Sequence, residues 1–369
     1  MDQQTKVLLL IPHLGGGGAE KVFTLLAREL SSEKYKVHLA AVTGSNPVPQ
    51  SDFPNLTLHL LGAPRVRSSA FQILALARRI KPDVILSGMF HLNFLVLLLR
   101  PFFPRSTRVL IRQNGFLSAS LAADNLPASI RMFYRHLYPR AGRIICQTQT
   151  MASDLLATLK LKPERIVVLP NPLDIDALRR QAQNSTIQWS GPGPHLLAIG
   201  RLSREKGFDL LLDAFKSLRQ SLPSADLVIA GAGPEEAALK ARCATLGLQP
   251  AVRFPGHVDQ PAAYFPGATL FVLSSRHEGM PNALLEAAAC GLPIVAMPAV
   301  GGIADLLRAQ PGTWVPDAIS SAALADALLQ ALLALNPGQR FTHSFIEPFR
   351  MDSAIRAYGE LIDSIIRES

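Results

Sequence analysis

The segment Ser274–Ala296, SSRHEGMPNALLEAAACGLPIVA, holds two carboxylates, Glu278 and Glu286, on either side of a predicted loop-to-helix transition. An apolar run precedes the segment and another ends it, so the pattern predicts a strand, a loop, a helix and a second strand. With Asn282 as the helix N-cap, the first amides and the positive end of the helix dipole point above the carboxyl edge of the sheet. The segment therefore predicts a phosphate-binding unit of an α/β fold.

The same alternation extends along the chain on both sides of this segment. The candidate strands are Val7–Ile11, Val37–Val42, Leu56–Leu61, Val84–Leu86, Arg108–Ile111, Arg143–Cys146, Ile166–Leu169, Leu196–Ile199, Leu227–Ala230, Val252–Phe254, Leu270–Leu273 and Ile294–Ala296. Helical stretches between them imply parallel sheets covered on both faces. A Gly/Pro-rich linker at 184–194 then divides the chain. The predicted fold is α/β, with two Rossmann-like doubly wound domains, 1–186 and 187–350, facing each other across a cleft, and a closing helix at 351–369.

Composition narrows the class of protein. A chain of 369 residues exceeds the usual size of one domain, which favours two. Its longest apolar candidate, Phe94–Leu99, ends at Arg100, far short of the ~20 residues that span a bilayer. The N-terminus has no signal-peptide cleavage pattern, and Cys146, Cys243 and Cys290 form no C-x-x-C motif. We therefore predict a cytoplasmic protein without a disulfide framework or a zinc site.

Charge is distributed unevenly between the two predicted domains. Residues 1–186 hold 23 Lys/Arg and 11 Asp/Glu, a net charge of +12, whereas residues 187–369 hold 14 and 17, a net charge of −3. The basic excess suggests an anionic partner such as a membrane surface, a phosphorylated lipid or nucleic acid; a solvated surface with chance bias is the simpler explanation. Ser129–Arg143 mixes Arg131 and Arg135 with apolar residues, which fits a helix on an anionic membrane or an amphipathic core helix.

Two further loops carry residue types suited to phosphates. Gly200–Gly207, GRLSREKG, follows a predicted strand and places Arg201 and Lys206 where two cations can converge on one diphosphate. Gly15–Gly18 lies between a strand and a helix, where glycines let the backbone approach a ligand. It lacks the Gly-Lys-Ser/Thr ending of a P-loop. Each pattern also has a simpler interpretation, solvated basic residues in the first loop and a turn without a ligand in the second.

Together these features resemble glycosyltransferase family 4, a group of retaining enzymes with the GT-B fold. The resemblance covers nearly the whole chain, through GGGGAEKV, LPNPLDI, IGRLSREKG, VIAGAGPE, FPGHV, EGMPNALLEAAACGLPIVA and VGGIADLL. It implies a metal-independent hexosyltransferase that uses a nucleotide-sugar donor such as a UDP- or GDP-sugar and no further cofactor. It also implies same-face attack, in which the leaving phosphate oxygen takes the acceptor's proton.

The resemblance assigns roles to individual residues. It implies that Glu278 holds donor-sugar hydroxyls, that Glu286 binds the ribose, and that Arg201 and Lys206 bind the diphosphate. The backbone at His257 and Val258 resembles the loop that meets the nucleobase. The other implied donor-site residues are Gly16, Gly17, Gly279, Met280, Pro281, Asn282 and Ala283, the two glycines coming from the first domain.

Some positions depart from the family pattern. Many relatives have a His where VLIRQNGF has Gln113 or Asn114, which disfavours a general base there and leaves either residue as an acceptor contact. Asp305 stands where relatives often have Glu. The triplet 174–176, Asp-Ile-Asp, mimics the metal-binding D-x-D of another glycosyltransferase fold, but it follows an Asn-Pro turn, so we predict no metal there.

Several functions remain in competition at this level. The basic first half and the habit of the family favour a lipid-linked or cell-envelope glycan acceptor, with the protein peripheral on the inner face of the cytoplasmic membrane and no nucleic-acid partner. A sugar-nucleotide epimerase or a phosphorylase has the same architecture. The epimerase lacks the pair Glu278 and Glu286 followed by this helix, and the phosphorylase needs a pyridoxal lysine in a longer chain. A non-catalytic module that binds sugar nucleotides or membranes is the alternative outside enzymes.

Overall fold

The computed structural model describes residues 4–14, 18–43, 55–118, 121, 128–189, 191–299 and 301–368. The chain forms two compact units: Met1–Pro172 together with Met351–Ser369, and Leu173–Arg350. Each unit is built on one parallel sheet with helices on its faces. The predicted class, two doubly wound α/β domains, is confirmed.

The first unit contains a seven-stranded sheet in the order β3-β2-β1-β4-β5-β6-β7. Its strands are β1 Thr5–His13, β2 Tyr35–Thr43, β3 Leu56–Leu60, β4 Val84–Gly88, β5 Arg108–Arg112, β6 Arg143–Cys146 and β7 Ile166–Val168. Leu8 and Leu10 of β1 face one apolar core, and Val7 and Leu9 face the other. Successive side chains of a strand point to opposite faces, so continuous apolar runs are what a sheet buried on both sides requires.

Helices cover this sheet on both faces. They are α1 Gly18–Leu30, α2 Ala70–Ile80, α3 Phe90–Leu99, α4 Ala128–Leu137 and α5 Gln149–Leu159. Thr148 caps α5, because its side chain accepts a hydrogen bond from the amide of Met151 at 3.1 Å. Helix α2 ends at Lys81, whose φ of 52° is left-handed.

The second unit contains a six-stranded sheet in the order β10-β9-β8-β11-β12-β13. Its strands are β8 His195–Ile199, β9 Asp226–Ala230, β10 Val252–Arg253, β11 Leu270–Leu273, β12 Ile294–Ala296 and β13 Thr313–Trp314. Its helices are α6 Ile175–Gln183, α7 Phe208–Ser221, α8 Glu236–Thr245, α9 Asn282–Ala289, α10 Ile303–Leu307 and α11 Ser321–Ala334. Leu196 and Leu197 of β8 again face two different cores.

The structure moves the domain boundary from the predicted position at 186 to Pro172. Helix α6 belongs to the second unit because it packs on α9 and on the short 3₁₀ turn Pro261–Tyr264. The backbone fixes this junction, since the amide of Leu173 donates to the carbonyl of Phe349 at 2.7 Å. The chain therefore enters and leaves the second unit at neighbouring points.

The C-terminal helix, α12 Met351–Arg367, belongs to the first unit. Its apolar face, with Tyr358 and Ile362, joins the core beneath β1. Tyr35 at the start of β2 donates from its hydroxyl to Asp363 at 2.7 Å. Within the described ranges, no helix combines the length and apolarity needed to cross a membrane.

Candidate functional site

The predicted site residues Arg201, Lys206 and Glu278 lie in loops that follow neighbouring strands of the second unit. Strand β8 lies between β9 and β11, so the loops at 200–207, 231–235 and 274–281 leave the same carboxyl edge of the sheet. The strand order reverses between β8 and β11, and ligands of open α/β sheets bind at such a switch point. The topology therefore brings together the cationic loop and the carboxylate loop.

Glu278 forms the centre of this edge. It is only 7% exposed, and its Oε1 accepts hydrogen bonds from Lys206 Nζ at 2.6 Å and from Ser275 Oγ at 2.6 Å. Among the described residues, no protein donor contacts the other carboxylate oxygen, Oε2. An ionised carboxylate has about four acceptor sites, so Oε2 remains available to a ligand hydroxyl.

The backbone joins the loops that carry Lys206 and Glu278. Ser274 Oγ donates to the carbonyl of Lys206 at 2.8 Å. Gly207 has φ +64°, and a Cβ built there would lie 2.1 Å from the carbonyl oxygen of Ser274. Only glycine combines that conformation with that approach, so the glycine after Lys206 lets the two loops touch.

Two further glycines pack the third loop against the first. A Cβ on Gly231 would lie 1.8 Å from the carbonyl oxygen of Gly200, and one on Gly233 would lie 2.3 Å from that of Leu202. The amide of Leu202 donates to Ala232 at 3.0 Å across the same contact. Gly231 and Gly233 thus hold the cationic loop in place, a role that the sequence analysis did not assign to them.

Helix α9 begins at this edge, and its start differs from the prediction. Pro281, not Asn282, is the N-cap, and no side chain caps the helix; Asn282 is its first residue. A helix start leaves its first amides for an external acceptor, and its dipole favours an anion. Glu286 lies one turn inside the helix and is half-buried.

Two family models match the chain, one in each unit. Residues 16–177 match Glycosyltransferase Family 4, and residues 180–342 match Glycosyl transferases group 1. The chain belongs to glycosyltransferase family 4. The predicted family and the GT-B fold are confirmed, and the protein is a glycosyltransferase.

The chain is similar in sequence to a curated glycosyltransferase and in fold to two solved structures. The glycosyltransferase is 26% identical, over 82% of its length and 83% of the relative's, to the Campylobacter jejuni N-acetylgalactosamine-N,N'-diacetylbacillosaminyl-diphospho-undecaprenol 4-alpha-N-acetylgalactosaminyltransferase. Sucrose-phosphate synthase from Thermosynechococcus elongatus matches it with a TM-score of 0.82 at 17% identity, covering 99% of this chain and 100% of that one. Anabaena Alr3699/HepE in complex with UDP and glucose matches with a TM-score of 0.78 at 17% identity, covering 98% and 100%.

The other residues predicted to bind the donor differ in their exposure. Arg201 is exposed, and its guanidinium has no hydrogen-bond or ion-pair partner among the described residues, so its charge is available to an anion. Val258 is half-buried beside the core, next to the exposed His257. Gly16 and Gly17 lie outside the described residues.

The structure distinguishes between Gln113 and Asn114 at the end of β5. The side-chain amide of Gln113 is satisfied within the protein at both of its atoms. Its Nε2 donates to the carbonyl of Gly115 at 3.0 Å, and its Oε1 accepts from the hydroxyl of Tyr138 at 2.9 Å. The Oδ1 of Asn114 accepts from Arg112, which can only donate. Asn114 therefore directs its Nδ2 donors away from Arg112, and that nitrogen meets only a weak sulfur acceptor, Met89 Sδ at 3.4 Å, among the described residues.

The D-x-D triplet at 174–176 has a structural explanation. The Oδ1 of Asp174 accepts from the amide of Ala177 at 2.9 Å and caps α6, and Asp176 lies in the first turn of that helix. Among the side chains that the structure describes, no group of three or more His, Cys, Asp or Glu is arranged to hold a metal ion. Independence of the activity from metals stays a prediction.

Several residues that support this edge of the second unit could not be recognised from the sequence. Ser275 bonds Glu278, and Arg276 bonds Asp209 on the first turn of α7. Their residue types are common on exposed loops, so only the fold reveals that they bind across the edge. In the first unit, the buried Arg112, which donates to Asn114, was not recognised for a similar reason, since its other partners, Asn171 and Tyr358, are remote in sequence.

Proposed function

We propose that this glycosyltransferase moves a hexosyl group, with retention of configuration, from a nucleotide-diphosphate sugar to a lipid-linked or cell-envelope glycan acceptor. One observation carries the proposal. Glu278 is a buried carboxylate with one oxygen held by Lys206 and Ser275 and the other unengaged among the described residues, beside the uncapped start of α9. An acceptor for sugar hydroxyls thus adjoins a cation and helix amides suited to phosphate.

The sugar, the diphosphate and the nucleoside of the donor bind to different residues of this edge. Glu278 accepts hydrogen bonds from the sugar hydroxyls, and Glu286 from the ribose. Arg201, Lys206 and the start of α9 hold the diphosphate, and the backbone at Val258 meets the base. The neighbouring fold of HepE, which was solved with UDP and glucose, supports a uridine nucleotide as the first donor to test.

The proposed reaction needs charge stabilisation more than a protein base. The bond from the anomeric carbon to the diphosphate oxygen breaks, and the acceptor oxygen bonds to that carbon on the same face. The acceptor's proton passes to the leaving phosphate oxygen. Arg201 and Lys206 stabilise the charge that grows on the diphosphate, which is the usual large term in such catalysis. Asn114 of the first unit, a candidate contact for the acceptor, is an amide that can form hydrogen bonds and cannot act as a general base.

Charge on the first unit supports a lipid-linked acceptor. Residues 1–172 and 351–369, which form this unit, hold 23 Lys/Arg and 13 Asp/Glu, and the net charge of +10 suits an anionic membrane or a lipid diphosphate. Met132 and Phe133 of α4 are exposed apolar side chains, and the exposed Arg135 follows them on the same helix. The name of the Campylobacter jejuni relative specifies a diphospho-undecaprenol acceptor, which agrees with this proposal.

A panel of labelled UDP- and GDP-sugars in excess EDTA tests the proposed function. We expect one donor to be hydrolysed slowly by the purified protein alone and faster with a lipid-diphosphate acceptor. Nucleotide binding without turnover would indicate a non-catalytic module. Activity that EDTA abolishes and magnesium restores would contradict the metal-independent part.

A further inference from the structure

Arg276 lies two residues before Glu278 and joins three parts of the second unit. Its two terminal nitrogens donate to the two carboxylate oxygens of Asp209, each at 2.7 Å. Nη1 also donates to the carbonyl of Arg204 at 2.9 Å, and the Arg276 amide donates to the carbonyl of Glu205 at 2.8 Å. One side chain and its own backbone therefore bind the carboxylate loop to the cationic loop and to α7.

These bonds surround Lys206 along the chain. Glu205 directly precedes Lys206, and its carbonyl accepts a hydrogen bond from the amide of Arg276. The carbonyl of Lys206 itself accepts a hydrogen bond from Ser274 Oγ. Since both sides of the Lys206 backbone are held by the same loop that carries Glu278, the 2.6 Å contact between Lys206 Nζ and Glu278 depends on this frame. A positioned cation stabilises a diphosphate without reorganising when the ligand arrives.

The guanidinium of Arg276 is committed to these protein acceptors. Its side chain is 25% exposed, and hydrogen bonding to Asp209 raises the pKa of Arg276 while the same bonds lower the pKa of Asp209. A planar fork paired with both oxygens of one carboxylate is a geometry that lysine cannot reproduce. Arg276 thus differs from Arg201, whose guanidinium has no partner among the described residues.

We propose that the Arg276–Asp209 pair is a positioning clamp, which holds the Lys206 and Glu278 loops in the conformation that binds the donor diphosphate. The inference rests on the proposed function of this edge as a nucleotide-sugar site. Arg276 acts through Lys206 and does not touch the diphosphate. Breaking the clamp makes the donor supply the ordering of the loops, so donor affinity falls while turnover of the bound donor is largely kept.

The chain offers a matched control on the same helix. Arg242 of α8 donates from Nε to Asp213 of α7 at 3.0 Å and from Nη2 to the other oxygen of the same carboxylate. That pair has the same charges as the clamp and is also bidentate, through Nε and Nη2 instead of Nη1 and Nη2. It lies one turn further along α7 than Asp209, and among the described residues Arg242 forms no hydrogen bond to the loops at 200–207 and 274–281. Its loss reports what a bidentate pair on α7 contributes to folding alone.

The test compares Arg276→Ala, Arg276→Lys, Asp209→Asn and Arg242→Ala with the wild type. Calorimetry with UDP and GDP gives the Kd of the nucleotide that binds, and donor hydrolysis gives KM and kcat. We expect Arg276→Ala and Asp209→Asn each to raise Kd and KM about tenfold, with kcat within about threefold of the wild-type value. Arg276→Lys does not restore binding, and Arg242→Ala keeps the wild-type Kd.

Asp209→Asn separates a clamp from a direct phosphate ligand. If Arg276 bound the diphosphate, loss of Asp209 would free its charge and leave binding unchanged or tighter, which would overturn the proposal. Equal effects of Arg276→Ala and Arg242→Ala on Kd would also overturn it. Lys206→Met and Glu278→Gln test the donor site itself: if they lose activity while the clamp variants keep the wild-type Kd and KM, the clamp is wrong and the donor site stands. If neither nucleotide binds the wild type, the proposed function fails and the clamp with it.

Discussion

At the scale of single residues, Glu278 and Lys206 depend on each other. Removing one partner of an enclosed ion pair leaves the other charge without compensation. Here the pair is also the proposed contact between protein and donor, with Glu278 only 7% exposed. A neutral isostere at position 278 therefore removes the ion pair with Lys206 and also replaces the carboxylate that would accept hydrogen bonds from the sugar hydroxyls.

We expect Glu278→Gln and Glu286→Ala each to lower kcat/KM for transfer by roughly a hundredfold or more, because interactions made at the reacting sugar and the ribose are lost. Steady-state kinetics with the active donor measures the loss, and circular dichroism checks that both variants fold. Glu236→Gln is the control, since Glu236 forms an exposed ion pair with Lys240 on α8 at 2.7 Å. Near-native turnover in both site variants would refute the assignment.

Gly207 tests the close approach of the two loops. Gly207→Ala places a Cβ 2.1 Å from the carbonyl oxygen of Ser274 at φ +64°, whereas Gly247→Ala has a similar φ of +69° and no atom within 4 Å. Both substitutions carry the left-handed penalty of about 1 kcal/mol. We expect Gly207→Ala to be less stable than Gly247→Ala by a further 1–3 kcal/mol, roughly the cost of overpacking. Urea unfolding measures both, and equal losses would show that the loops separate freely.

At the scale of elements, strands β2 and β3 carry a histidine pair. His38 Nδ1 lies 3.1 Å from His59 Nε2, and Arg79 lies 3.4 Å from His59 Nδ1. Because Arg79 can only donate, His59 Nδ1 accepts, and His59 Nε2 then donates to His38. Burial, followed by the charge of His59, lowers the pKa of His38 to about 4, and burial with the charge of Arg79 lowers the pKa of His59.

This pair predicts acid sensitivity of folding. The folded-state pKa of His38 lies below its unfolded value of about 6.5, so the unfolded chain binds more protons between pH 6.5 and pH 4. The free energy of unfolding therefore falls as pH falls through that window, by about 1–3 kcal/mol. Urea unfolding at pH 7 and pH 4.5 measures the fall. We expect His38→Gln to reduce it and His91→Gln, at an exposed site, to retain it; an unchanged fall in His38→Gln would contradict the account.

Elements were the part of the structure that the sequence predicted best. Apolar runs such as Val7–Ile11 are buried on both faces, so hydrophobicity alone marks them as strands of a covered parallel sheet. Residues 175–183, which form α6, fell on the wrong side of the predicted boundary because an amphipathic pattern does not specify which core a helix joins. The start of α9 was misread because Pro281 can occupy the N-cap position that Asn282 favours.

The site was predictable in its residue types and not in its supporting contacts. Glu278 and Lys206 were recognisable because their loops follow strands, and parallel strands end at one edge of a sheet. Their 2.6 Å contact, and the bonds from Arg276 to Asp209, join residues about 70 positions apart in sequence. Such contacts depend on the order of the strands in the sheet, which cannot be predicted from the alternation of strands and helices along the sequence.

At the scale of the whole molecule, charge asymmetry predicts membrane binding. The first 186 residues carry +12 against −3 for the rest, and each surface Lys or Arg contributes about 1 kcal/mol near anionic lipid. We expect liposome binding to rise with the anionic fraction and to weaken with salt. Replacing Arg131 and Arg135 by Gln should reduce binding and leave donor hydrolysis intact, while replacing Arg219 and Arg242 should not reduce it. Sedimentation with liposomes measures the binding of the wild type and of the two double variants at each anionic fraction and salt concentration, and a separate assay measures donor hydrolysis.

Binding that does not depend on salt, or none to strongly anionic liposomes, would indicate that the basic half serves a different acceptor or only solubility. The acceptor class would then need to be sought among soluble glycans. The donor site in the second unit would be unaffected by that result, because its residues lie within 200–286.

Proton NMR of the reaction shows whether this glycosyltransferase retains the anomeric configuration of a nucleotide sugar. The purified protein is incubated with the donor that it turns over and with its acceptor, and the anomeric signals of donor and first-formed product are followed with time. We predict release of the nucleoside diphosphate together with a product whose anomeric configuration equals that of the donor. A product of inverted configuration, or no consumption of any UDP- or GDP-sugar, would contradict the account.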